Sequence, residues 1–167
     1  AATPIRVSVG ERGLSTTDLN TGSIYLAAKE RDLGIGSIIS DSVVEISADH
    51  AVKAVTSETN IKAAALRILK SSAIGTKEQN LRTEISGNME MISAGDIYAT
   101  ELGTANVKNI RSTKNEGKVS LTAAGMVNCA EDGSAAITAD NITLQATAGS
   151  IGSSAKAMDV EVGSGTL

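Results

Sequence analysis

The residues of this chain that could do chemistry are few and scattered. Its one histidine, His50, follows Asp49 in the stretch ISADHAVK. Such a pair serves nucleophilic catalysis when a serine or cysteine is held against the imidazole. No serine lies in a Gly-x-Ser-x-Gly elbow, so His50 reads as a surface or turn residue. The one thiol, Cys129, stands in MVNCAEDGS, where an apolar and then small run points to a buried, inert cysteine. A structural zinc takes four ligands of Cys or His type, and Cys129 with His50 would supply two. Glu131-Asp132-Gly133 is a turn signal. The Gly-Gly-x-Gly-x-Asp nonapeptide that binds calcium between coils is absent from it. Glycoside cleavage needs two carboxylates at a set separation, whereas the acids here are dispersed and Tyr25 and Tyr98 are the only rings. These residues nominate no catalytic group, no cofactor site and no metal site.

Charge offers one lead. Between residues 50 and 82 stand Lys53, Lys62, Arg67, Lys70, Lys77 and Arg82 against Glu58 and Glu78, in a chain of net charge −4. Were successive turns of the backbone to bring Lys62, Arg67, Lys70 and Arg82 to one face, they could meet a sulfated glycan or another anionic surface. The competing reading is a solvated face with incidental charge. There is no long basic block and there are few rings for stacking, so nucleic acid is not an expected partner. The longest apolar runs fall far short of the roughly 20 residues of a membrane helix.

The elements that would position these residues are extended. Trp and Phe are absent, and the apolar content comes from Ala, Val, Ile, Leu and a few Met. A core without rings has to be narrow, and branched side chains suit a pleated surface. Sixteen glycines and many Ser, Thr, Asn and Asp supply turns. The single proline, Pro4, is placed where a fully paired ladder tolerates it, at an edge.

An apolar-x-apolar unit recurs. Taking its second apolar position gives Val7, Leu26, Ile46, Ala63, Ile85, Ala99, Leu121, Leu144 and Val162, a period of about 19 residues. Units of that length cannot bury an apolar face alone, but stacked units can. The reading is an all-β parallel β-helix, with coils of about 19–20 residues over a single segment, 1–167. A second motif, Ile-Gly-Ser/Thr, starts at Ile74 and Ile151, with an Ile-Gly-Ser also at Ile35. It predicts a tight corner revisited on one side of the coil. Asn60, Asp96 and Asp140-Asn141 stand just before strands, where stacked amides form ladders. Two alternatives stay open: a β-sandwich or jelly roll, which shares the alternation, and a short helix over NIKAAALRILK, 60–70, with Asn60 as its N-cap.

Runs such as NITLQATAGSIGSSAKAMDVEV and KVSLTAAGMVNC resemble the repeat regions of filamentous haemagglutinin-type exoproteins, above all leukotoxin-like large adhesins of Gram-negative bacteria. The likeness covers 118–162 well, 71–112 fairly and 1–30 weakly. It implies a right-handed coil and an internal segment of a longer rod, exported through an outer-membrane transporter to the cell surface or medium. There it would act as a structural or adhesive stalk that presents a host-binding region. Neighbouring repeats are the implied partners, with a host cell surface or glycan beyond them. The family's repeats carry no catalytic residue. The alternatives are a polysaccharide-processing β-helix enzyme and a trimeric phage tail or spike segment.

Overall fold

The computed structural model describes the backbone of residues 5–9 and the whole of residues 22–164. Pro4 and the Glu11-Arg12-Gly13 tripeptide, which is not the Arg-Gly-Asp of integrin ligands, lie outside the described residues. Every described element is a strand or a turn, and every strand pair is parallel. The chain is a β-solenoid of about six turns. That excludes the sandwich, whose sheets are built from antiparallel neighbours.

Each turn lays one strand on a long sheet and another on a second sheet. The long sheet runs β1 (Ile5–Val9), β2 (Ile24–Ala28), β5 (Val43–Ala48), β8 (Ala65–Lys70), β10 (Asn88–Ser93), β12 (Thr104–Ser112), β15 (Ile137–Ala139), β17 (Val160–Val162), with β14 (Gly125–Asn128) also paired to β12. The second sheet runs β4 (Ile38–Ile39), β7 (Ile61–Ala63), β9 (Leu81–Ile85), β11 (Ile97–Glu101), β13 (Lys118–Ala123), β16 (Asn141–Ala146). A short third ladder pairs β3 (Leu33–Ile35) with β6 (Val52–Ala54), and Ile74 extends it by bridging to Val52 and to Ile97.

Stacking turns period-two sequence into vertical columns. Val7, Leu26, Ile46, Ile68, Met91, Ile110, Ile137 and Val160 occupy one register position of the long sheet. From Ile46 to Ile137 this column is sealed from water. Leu81, Ala99, Leu121 and Leu144 form the matching column opposite. The two columns fill a thin aliphatic tube, which explains how the chain does without Phe and Trp.

The turns are less regular than the sequence period implies, and most are longer. Along the long-sheet column the steps are shortest from Val7 to Leu26 and from Met91 to Ile110, and longest from Ile110 to Ile137. The sequence anchors were mixed: Val7, Leu26 and Ile46 belong to the long sheet, Ala63 through Leu144 to the second sheet, and Val162 to the long sheet again. Sliding from one sheet to the other shortened the apparent period.

The segment 60–70 is two strands and not a helix. Ile61 and Ala63, then Leu66 and Ile68, are buried at period two. A one-residue corner at Ala64 separates them, and its N–H donates to the Ser42 carbonyl (2.9 Å). That extra residue shifts the phase and imitates helical spacing. Asn60 caps no helix: its side-chain amide donates to the carbonyls of Ile35 (3.1 Å) and Gly36 (3.2 Å) in the preceding turn.

The Ile-Gly-Ser/Thr corner recurs in detail at two of its three sites; the third, Ile35, ends strand β3, and Gly36 is not at positive φ. Ile74 and Ile151 each make an isolated bridge, and Gly75 and Gly152 follow at φ +61° and +69°. The Thr76 and Ser153 hydroxyl oxygens then accept from the N–H of Gln79 (3.0 Å) and Lys156 (3.1 Å). The two copies do not share a side of the coil, however. Ile74 lies on the way from the long sheet to the second, and Ile151 on the way back. The motif is a portable corner, usable wherever the chain must bulge and return.

Candidate functional site

Outward residues of the long sheet meet their counterparts one turn away, at the roughly 4.8 Å rise of a β-ladder. Glu45 pairs with Arg67 (2.8 Å), and Arg67 also faces Glu90 (3.9 Å). Glu90 meets Lys108 (3.4 Å), which reaches Glu131 (3.9 Å). A line of alternating charge therefore climbs the long sheet. Lys108 enters it through a β-bulge: Met89 pairs with Val107 but Glu90 with Asn109, so Lys108 is the extra residue between them.

The four basic residues singled out from sequence fall on two sheets. Arg67 and Lys70 stand on the long sheet, Lys62 and Arg82 on the second. Lys62 is paired with Glu84 (2.8 Å), Arg67 with Glu45 and Lys70 with Asp49 (2.6 Å). The Lys70 ammonium holds the Asp49 carboxyl below its usual range, and Lys53 does the same to Asp32. Arg82 differs: its Nε is a buried side-chain polar atom without a partner among the described residues.

His50 and Asp49 are exposed in a turn, and Asp132-Gly133 forms a turn closed by the Ser134 N–H on the Glu131 carbonyl (3.0 Å). Cys129 is half-buried in the turn after β14 and does not fill the tube, because the inward position beside it belongs to Asn128. Among the described residues no group of three or more His, Cys, Asp or Glu is placed to hold a metal.

The residues before the second-sheet strands act as bridges between turns, not as amide ladders. Asn60 Oδ1 accepts from the Arg82 N–H (2.9 Å), and Asp96 Oδ1 from the Lys118 N–H (3.0 Å). Asp140 Oδ2 accepts from the Glu116 N–H (2.6 Å) of the preceding turn. Each satisfies a backbone group at a strand end that the ladder leaves open.

Sequence reasoning missed the most unusual group, Glu101. Its side chain points inward at the end of β11, and the residue is 2% exposed. The carboxylate accepts from the Thr83 hydroxyl (2.7 Å), the Ile85 N–H (3.2 Å to each oxygen) and the Gly103 N–H (3.0 Å). Burial pushes its pKa up, against the opposing pull of those donors, and the nearby Glu84 adds to the rise. The cause is topological. Glu101 pairs with Thr83, so β11 stops where β9 continues to Ile85. The carboxylate takes the place of the missing strand acceptors. The sequence signal was available: in DIYATE, Glu101 falls on the same parity as Ile97 and Ala99.

Glu101 lies in the wall of an open cleft of about 460 Å³, with Ser40, Lys62, Glu84 and Asn106. A carboxyl with a raised pKa is a general-acid candidate by position. Here both Glu101 oxygens are engaged by the wall and Lys62 is held by Glu84, while the exposed Asp41 carboxyl also lines the cleft.

No protein-family model matches the chain, and no curated protein or solved structure matches it.

Proposed function

We propose that this chain is a stalk segment of a secreted bacterial filamentous adhesin or leukotoxin-like exoprotein, spacing or presenting a host-binding region. The observation that carries the reading is the direction of its interactions. Parallel ladders, the charge line and the Asn and Asp bridges all run along the coil axis, from each turn to the next. Seven steps from β1 to β17 at roughly 4.8 Å give a rod segment on the order of 34 Å long. Such a body carries separation well, and its side chains are engaged mostly with its own neighbours.

The test places the chain between a surface anchor and an unrelated binding module on a bacterium. A stalk extends the module's reach, and capture of target cells rises above that of the module anchored directly. Equal capture with and without the chain would count against the proposal. Turnover of an acidic polysaccharide by the purified chain would favour a β-helix enzyme instead, and a trimeric mass would favour a spike.

A further inference from the structure

The solenoid breaks its regularity twice at one place. On one side of β12, Met89 pairs with Val107 and Glu90 with Asn109, so Lys108 bulges out of the ladder. On the other side, Asn128 pairs with Val107 and Ile137 with Ile110, so residues 129–136 stand against Lys108 and Asn109 alone. The segment leaves the ladder at the Cys129 N–H, which donates to the Val107 carbonyl (2.8 Å). It returns at the Ala136 carbonyl, which accepts from the Ile110 N–H (2.8 Å). This excursion lengthens the turn from Ile110 to Ile137. The ladder gains nothing from it, because β12 is paired before it by β14 and after it by β15.

What the excursion builds is a pocket of about 390 Å³ on the outer face of the long sheet, bordered by Lys108, Asn109, Arg111, Glu131, Ser134 and Thr138. Strand bulges and loops added to a repeat are both places where binding groups are set. Arg111 is exposed and forms no ion pair among the described residues. Its ladder neighbours on the two sides, Ile92 and Thr138, are uncharged. Arg67, by contrast, stands between Glu45 and Glu90. Lys108 lies 3.4 Å from Glu90 and 3.9 Å from Glu131, whose side chain is 81% exposed and free to swing away. The side chains of Asn109, Ser134 and Thr138 have no hydrogen-bond partner among the described residues. A guanidinium takes a carboxylate through two parallel hydrogen bonds. Amide and hydroxyl groups donate and accept, which suits a body of hydroxyls. The volume is at the small end for a ligand site, so it admits one sugar ring and not a chain laid across it. Glu131 and Glu161 at the rim repel a polysulfated chain.

We propose that this pocket binds the carboxylate of one acidic sugar, a sialic or a uronic acid. Arg111 is the fork, and Lys108 turns from Glu131 to the same carboxylate. Asn109, Ser134 and Thr138 meet the hydroxyls of the ring. The assignment goes beyond the stalk reading and does not rest on it, since the pocket is the same on a chain that spaces nothing.

The test follows the backbone amide resonances of the isotope-labelled chain during titration with the methyl glycosides of N-acetylneuraminic acid and of glucuronic acid, which separate the two sources. Saturable shifts confined to residues 107–111 and 131–138 are expected with at least one of them. The methyl ester of that sugar, which lacks the charge, is expected to bind about tenfold more weakly or worse. R111A and R111K, at an exposed position that spares the core, should each weaken binding by about tenfold or more, since lysine keeps the charge and loses the fork. E131Q, which frees Lys108 of a weak solvated contact, should tighten binding about twofold. K77A, on an exposed turn elsewhere, leaves it unchanged. Absence of shifts with both acids overturns the proposal. So does binding unmoved by esterification or by R111A, binding weakened by E131Q, shifts centred outside the pocket, or acetate binding as tightly as the sugar.

Discussion

Replacing Glu101 isolates the chemistry of the one buried acid. In Glu101→Ala the Thr83 hydroxyl and the N–H groups of Ile85 and Gly103 lose their acceptor at once. Ile85 is 3% exposed, so its N–H has no ready access to water. Each buried donor left unpaired costs about 1–3 kcal/mol. Thr83 can turn its hydroxyl and Gly103 is only partly covered, which limits their shares. Removing a buried carboxylate also relieves its own desolvation. The balance is a loss of about 2–4 kcal/mol in urea unfolding, with the larger part from Ile85. Glu101→Gln keeps one acceptor but turns an NH₂ toward donors, so its loss is smaller, about 1–2 kcal/mol. The pH dependence carries a definite sign. The folded carboxyl has a raised pKa, so the folded state holds a proton that the unfolded state has released. Its contribution is fully present below the ordinary value of 4.5 and is lost as pH rises through the folded pKa. Asp32 and Asp49 are shifted downward, so their contributions are lost as pH falls below 3.8, and they act on the other side of that window. The difference between wild type and Glu101→Gln, measured from pH 4 to 7, is therefore expected to widen toward low pH. A Glu101→Ala variant within about 0.5 kcal/mol of wild type, or a pH-independent difference, would refute the reasoning.

Three further outcomes follow from the same geometry. A Cβ at Gly75 would lie 2.3 Å from the Tyr98 carbonyl oxygen and one at Gly152 2.5 Å from the Met158 nitrogen, both at positive φ. Gly133, at φ +80°, has open space. Thermal unfolding should therefore show Gly133→Ala losing about 1 kcal/mol, and Gly75→Ala and Gly152→Ala clearly more. A double-mutant cycle on Arg67 and Glu45 should return about 0.5–1 kcal/mol at low salt and less at high salt, because the pair is largely solvated; a coupling that ignores salt would contradict this. On immobilised heparin the chain should elute at low salt, since Lys62, Arg67 and Lys70 already hold carboxylates on two different sheets; retention that is lost in Arg82→Ala would instead assign that residue to an anionic ligand.

Much of this architecture is legible in the sequence, for a physical reason. A column of stacked residues demands the same parity in every turn, so SIYLAA, VVEISA and KVSLTA announce strands without any alignment. The composition announces the narrow tube. Assignment of strands to sheets was not legible, because both sheets impose the same alternation and the turns differ in length, as Val7 to Leu26 and Ile110 to Ile137 show. Helical spacing over 60–70 was misleading because a single corner residue shifts the phase. Glu101 was overlooked because an acid attracts notice in clusters, whereas its signal lay in parity alone. The charge line needed the register itself: Glu45, Arg67 and Glu90 become neighbours only when turns of unequal length are laid on one another.

The portable corner shows what this chain is constrained to keep. The same Gly-Ser/Thr bend serves opposite crossovers, so it does not mark a repeat in the sense of a duplicated unit with fixed contents. What must be preserved from turn to turn is an inward aliphatic residue at two or three register positions and an acceptor for each N–H at a strand end. The acceptor can be a carbonyl, as for Asn60 N–H on Arg82 (2.8 Å), an amide or carboxylate, as at Asn60 and Asp96, or an inward acid, as at Glu101. Those demands leave turn length and outward residues largely free. A body specified so loosely in its surface and so strictly along its axis can drift in sequence while keeping its rise per turn.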